Sequence, residues 1–126
     1  MKRLSIGITV LVILLSSGSL AAICMDHFHR PISHELTQAV AAMEGGHWEQ
    51  ATTLANNAHS QWLQCRDFTA AFADHDVLEE IDALFAEIHV FAAAGDLISF
   101  SAACAHLSEL TKAVAESHHP KWQNLL

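Results

Sequence analysis

Mostly apolar residues recur at alternating steps of three and four between Gly46 and Asp74, which is the spacing of one face of a helix. They form two rows with a period of seven: Trp48, Ala55, Trp62, Thr69 and Ala51, Ala58, Cys65, Phe72. The pattern predicts a helix over about residues 47–73, which opens after the Gly45-Gly46 break. Because this segment carries two of the three tryptophans, we predict that it forms the central wall of the core.

Three further segments show the same helical spacing. The first predicted helix runs from Pro31, in its first turn, to Glu44. The third starts at Asp76, an N-cap with Glu79 three residues on, and stops at Gly95. Asp96 caps the fourth, which ends at His118-His119-Pro120.

No stretch alternates apolar and polar residues as a strand would. The predicted fold class is therefore all-α: an N-terminal apolar helix followed by an antiparallel bundle of about four helices. We expect the apolar residues of the tail to fold back onto this bundle; they are Trp122, Leu125 and Leu126.

Residues 1–25 form a segment of their own. Lys2 and Arg3 precede the uncharged stretch Leu4 to Met25, whose 22 residues suffice for the ~20 that span a bilayer. We favour such an anchor, and the alternative is a secretory signal cleaved after Ala21, which the layout also fits. In both cases residues 26–126 form one helical domain outside the cytoplasmic membrane, either on a single-pass anchor or secreted after cleavage. A lipid on Cys24 is a third option, which the bulky Ile23 before it disfavours.

The exported part is acidic. From Ala22 onwards it holds all 14 Asp and Glu and, without Lys2 and Arg3, four of the six Lys and Arg, so its net charge is −10 with His neutral. Nucleic acids and anionic lipid surfaces bind basic faces, so neither is predicted as a partner. Three cysteines without a CxxC spacing define no disulfide framework, and pairing of Cys65 with Cys104 stays open.

Ten histidines in 126 residues are the main compositional oddity. Imidazole is a common ligand of zinc, copper and nickel. The sequence candidates for a metal site are His27 and His29 near one end and His118 and His119 near the other. No HExxH motif accompanies them. We predict no cofactor and keep metal binding as an alternative.

Two other groups are candidate binding residues. Asp74-His75-Asp76 places a carboxylate on each side of an imidazole, as a general base would require. The same residues suit a helix-to-helix joint, which we favour. Trp48 and Trp62 lie two heptads apart on one face and either stack on a ligand or fill the core, and the core is favoured. No nucleophile–base pair is visible, so we predict that the protein is not an enzyme.

The order of these features resembles a known family. A G-x-W-E-x-A motif (Gly46, Trp48, Glu49, Ala51) follows the apolar segment, and a second tryptophan comes fourteen residues on. Phe72, Asp74, His75, Ile81 and Asp82 come next, then Gly95-Asp96 and an Asn124-Leu125 end. This resembles domain-of-unknown-function family 4363, small membrane-anchored helical proteins of Gram-positive bacteria. The resemblance implies a single membrane span with a short helical domain outside, and no assigned activity.

The sequence therefore predicts a membrane-tethered, non-enzymatic interaction or structural module. Its expected partners are the membrane, through the N-terminal segment, and a protein or a second copy of the chain. The alternative is an extracytoplasmic histidine-rich protein that binds a metal or a small ligand.

Overall fold

The computed structural model describes residues 1–117, without the side chain of Ser117. Four α-helices make up this part of the chain: α1 (Lys2–Glu44), α2 (Trp48–Ala70), α3 (His75–Ala94) and α4 (Leu97–Ser117). No strand occurs among these residues. The predicted all-α class and bundle are confirmed. The tail residues Trp122, Leu125 and Leu126 and the predicted stop at His118-His119-Pro120 lie outside the described residues.

Short turns join the helices and make neighbours antiparallel. Gly46 (φ +78°) and Gly95 (φ +69°) take left-handed conformations that favour glycine. The backbone N–H of Ser99 donates to Asp96 Oδ1 at 3.1 Å, so the predicted cap of α4 is confirmed. The predicted cap of α3 at Asp76 is wrong, because α3 starts at His75 with Asp74 as its N-cap residue.

The separate helix start predicted at Pro31 is also wrong, because α1 runs through Pro31 without a break. Proline lacks the N–H that the helix would use, and inside a helix this costs about 3 kcal/mol. Packing compensates for this loss, since His29 two residues before the proline and Ile32 directly after it are both fully buried. The N-terminal apolar segment and the first bundle helix are therefore one 43-residue element.

Helix α1, not α2, lies at the centre of the bundle. It packs extensively against both α2 and α4, whereas α2 and α3 touch each other least among the neighbouring pairs. The α2 rows face the core largely as predicted, with Ala51, Ala55, Ala58, Trp62, Cys65 and Thr69 all buried. Phe72 breaks the row, because α2 ends at Ala70 and leaves that ring 46% exposed. The alanines allow a close approach of α1, and Trp62 fills the wider space beyond them.

Replacing Pro31 by alanine tests the continuity of α1. If residue 31 lies inside the helix, the alanine restores a backbone hydrogen bond and the free energy of unfolding rises by about 1–3 kcal/mol. Chemical denaturation of the full chain in detergent, followed by circular dichroism, measures the change.

The matched control for this prediction is Gln38→Ala, at another exposed position of α1, which should change stability by less than about 0.5 kcal/mol. A neutral or destabilising Pro31→Ala would contradict the continuous helix.

Candidate functional site

A carboxylate links α2 to α3. The indole N–H of the fully buried Trp62 donates to Asp82 Oδ1 at 2.7 Å. The Arg66 guanidinium lies 2.8 Å from Asp82 Oδ2. Burial raises the pKa of Asp82, but hydrogen bonds from Arg66 and Trp62 outweigh it and the pKa lies below its ordinary value. The ionised carboxylate thus satisfies a buried donor and fixes the orientation of the largest core side chain.

Two imidazoles face each other next to this carboxylate. His59 Nδ1 on α2 lies 2.9 Å from His89 Nε2 on α3, so one ring donates a hydrogen bond to the other. The His59 ring also stacks on Phe85, with ring centroids 4.7 Å apart. Partial burial, and then the neighbouring His89, lower the pKa of His59, while Asp82 acts in the opposite sense. The pair makes the α2–α3 seam sensitive to protonation.

Asp74 and His75 lie where α2 passes into α3. Asp74 is the N-cap residue of α3 but makes no side-chain cap hydrogen bond. The His75 side chain is 77% exposed, and its Nε2 lies 3.1 Å from Glu79 Oε1 on the same helix. Both residues thus occupy a helix joint, and His75 contacts Glu79 of its own helix. Asp74 also borders a shallow groove of about 310 Å³, formed with α4 residues Leu110, Ala113 and Val114.

The two candidate tryptophans share a helix face but have different surroundings. Trp62 is completely buried in the core. Trp48, the first residue of α2, is half-buried and its ring lies 5.4 Å from that of Phe100 on α4. A ligand therefore has access to Trp48 but not to the ring of Trp62.

The metal candidates do not come together within the described part. His27 is exposed, whereas His29 is fully buried beside Trp62. The Thr69 hydroxyl donates to the Cys65 carbonyl at 2.8 Å, so it accepts a hydrogen bond from His29 Nε2 at 2.9 Å. Residues 1–117 contain no group of three or more His, Cys, Asp or Glu side chains that could hold a metal ion. His118 and His119 lie outside the described residues.

Cys65 and Cys104 are both buried and both free. Burial raises the pKa of the Cys65 thiol and raises that of Cys104 to about 12. These thiols are therefore protonated at neutral pH and behave as small apolar core residues.

A groove of about 380 Å³ lies between α1 and α4. Hydroxyl groups line it: Ser33 Oγ lies 3.0 Å and Thr37 Oγ1 lies 2.9 Å from Ser108 Oγ. Arg30 and Lys112 on its rim are mixed with Asp26, Glu109 and Glu116. The hydroxyls bond to one another and so join the two helices, while the rim presents both signs of charge to solvent.

The sequence analysis did not predict that Asp82, His59 and His89 form one polar seam between α2 and α3. Asp82 entered only as part of the family motif, and 30 residues separate the two histidines. Their proximity follows only once it is known which faces of α2 and α3 meet.

Comparison with known proteins identifies a family to which no activity is assigned. The family model described as "Domain of unknown function (DUF4363)" matches residues 22–125. Searches of curated proteins and of solved structures found no significant match. The matched region begins at Ala22, which is also the first residue of α1 that the bundle buries.

The pH dependence of stability tests the role of His59. Its pKa in the folded state lies below its ordinary value of 6.5, so the unfolded chain binds that proton more readily. The contribution of the neutral His59 ring to the free energy of unfolding is therefore fully present above pH 6.5. It falls as the pH drops from there towards the folded-state pKa. We expect His59→Gln to lose part of the difference in unfolding temperature between about pH 8 and about pH 5.

His34→Gln is the matched control, because His34 is exposed on α1 and hydrogen-bonds to its neighbour on the same helix, Gln38. An equal loss of pH dependence in both variants would contradict a specific role for the His59–His89 pair.

Proposed function

The chain belongs to the DUF4363 family, a domain of unknown function, and on that premise we propose that it is a membrane-tethered helical module. The N-terminal half of α1 holds the bundle outside the cytoplasmic membrane. The bundle acts without catalysis, by binding a protein partner or a second copy of the chain.

The exposure of the N-terminal half of α1 carries the proposal. Its apolar side chains are 49–72% exposed, and nothing in the described part covers them; they are Leu4, Ile6, Ile8, Val10, Leu11, Val12, Ile13, Leu14 and Leu15. Helix α1 is long enough to cross a membrane and contains an 18-residue stretch with a mean hydropathy of 2.3, features that a signal sequence near the N-terminus also has. Each Å² of this surface costs about 25 cal/mol in water, which a lipid environment removes.

The charges support the orientation. Lys2 and Arg3 precede the apolar segment and are expected to stay in the cytoplasm. The segment after it is acidic and lies on the other side of the membrane. Cleavage after Ala21 is the secreted alternative, and it would leave every core residue in place because bundle packing starts at Ala22.

Exposed apolar residues on the bundle support an interaction role. Val90, Leu97 and Ile98 are 63%, 50% and 84% exposed. They lie around the α3–α4 turn, at the end of the bundle farthest from the apolar segment. Such side chains are available to a partner approaching from outside. Metal or small-ligand binding, the alternative, rests on the histidine content, since His29 is committed to the core.

A charge placed in the apolar segment tests the tether. Val12→Arg combined with Ile13→Arg should release most of the chain from the membrane or block its export, because each arginine costs about 2.5–3.5 kcal/mol at the centre of a span. The measurement is the fraction of the chain that stays with membranes after an alkaline carbonate wash.

Ile98→Arg is the matched control for this experiment and should leave the membrane fraction unchanged. Recovery of the wild-type chain in the soluble exported fraction, with Ala22 as its first residue, would instead establish the secreted form.

A photo-crosslinking residue at position 98 tests the interaction role. We expect one defined crosslinked band in cells, at the mass of a dimer or of a complex with one other protein. The same residue at position 64, which is exposed on α2, serves as the control. The absence of a band specific to position 98 would argue against a partner at this end.

A further inference from the structure

The contact between the middle of α1 and the C-terminal end of α2 determines how far the base of the bundle lies from the apolar segment. The rings of Phe28 and Phe68 lie 5.3 Å apart, and His29 contacts Thr69. Because the two helices are antiparallel, each residue further along α2 corresponds to one residue further back on α1. The end of α2 at Ala70 therefore lies level with about residues 26–28 of α1, and the following Phe72 lies level with about residues 24–26.

The apolar segment ends at the same height. Starting from Leu4, the first residue after Arg3, a hydrocarbon core of about 30 Å takes up about 20 residues of helix. Its outer boundary thus falls near Ile23, which is 63% exposed. Ala22 and Met25 are already buried, at 4% and 0% exposure. No linker separates the span from the bundle, because α1 is unbroken.

An aromatic cluster is exposed at this level. Phe28 is 39% and Phe72 is 46% exposed, and Phe68 lies between them, with its ring 5.1 Å from that of Phe72. A polar headgroup layer is about 5–7.5 Å thick on each side. Phe28 is five residues beyond Ile23, which is about 7.5 Å along the helix and places it at the outer edge of this layer. Phenylalanine is one of the residues that bury their apolar surface at this boundary.

We infer that the base of the bundle rests on the lipid surface, with Phe28 and Phe72 in the headgroup layer. This inference depends on the proposed membrane tether. The contact is apolar, since Asp67, Asp74 and Asp76 are exposed around the base and would be repelled by anionic lipid. The bundle is thus held in a fixed orientation, with Val90, Leu97 and Ile98 pointing away from the membrane.

Spin-label depth measurements on the full chain in phosphatidylcholine nanodiscs test the inference. Single cysteines are introduced at positions 12, 71, 72 and 98 in a Cys24→Ser background. The buried Cys65 and Cys104, with raised thiol pKa values, label poorly. Position 71 keeps the Phe72 ring in place and guards against a local effect of replacing it.

The ratio of spin-label collisions with oxygen to those with a polar nickel complex rises with depth in the membrane. We expect this ratio to be highest at position 12. At positions 71 and 72 it should be several-fold higher than at position 98. Equal ratios at positions 71, 72 and 98, with position 12 in hydrocarbon, would overturn the resting base but leave the tether intact. A solvent-like ratio at position 12 would overturn the tether itself. Adding anionic lipid should lower the ratio at position 71, and an increase would contradict an apolar contact.

Discussion

The architecture depends on α1 being one unbroken helix that meets two different surroundings. Up to Leu20 its side chains are exposed, and from Ala22 onwards one stripe is buried between α2 and α4. Because α1 has no hinge, its N-terminal half has a fixed orientation relative to the helices that pack on its C-terminal half. The position of the bundle relative to the apolar segment is therefore determined by the register of α1 against α2, and not by a flexible linker.

The bundle uses two kinds of contact in different places. Around α1 the contacts are mostly apolar and close, because small residues on α2 allow the backbones to approach. Between α2 and α3, whose backbones approach less closely, polar contacts join the helices: Asp82 binds Trp62 and Arg66, and His59 hydrogen-bonds to His89. Hydrogen bonds need specific geometry but little area, so they suit a seam where the two backbones approach less closely.

Much of the fold could be predicted from local sequence signals. The period of the apolar residues identified the buried face of α2, and Gly46, Gly95 and Asp96 marked turns through their own backbone and capping chemistry. The helix start at Pro31 was wrong, because proline suits a first turn and only the structure shows that the residues before it, with Met25 and His29 buried, belong to the same helix. Within the candidate site, the position of Asp74 and His75 at the α2–α3 joint could be predicted. The polar α2–α3 seam could not, since its contacting residues are 16 to 30 positions apart in the sequence.

The sequence by itself determined the helical class, the apolar N-terminal segment and the family, because periodicity, hydropathy and motif spacing are properties of neighbouring residues. Only the tertiary structure decided that α1 is the central helix, that His29 belongs to the core and that His59 faces His89. These outcomes depend on which helix faces meet and at what height. Such relations arise from packing the whole chain at once, and no local pattern in the sequence specifies them.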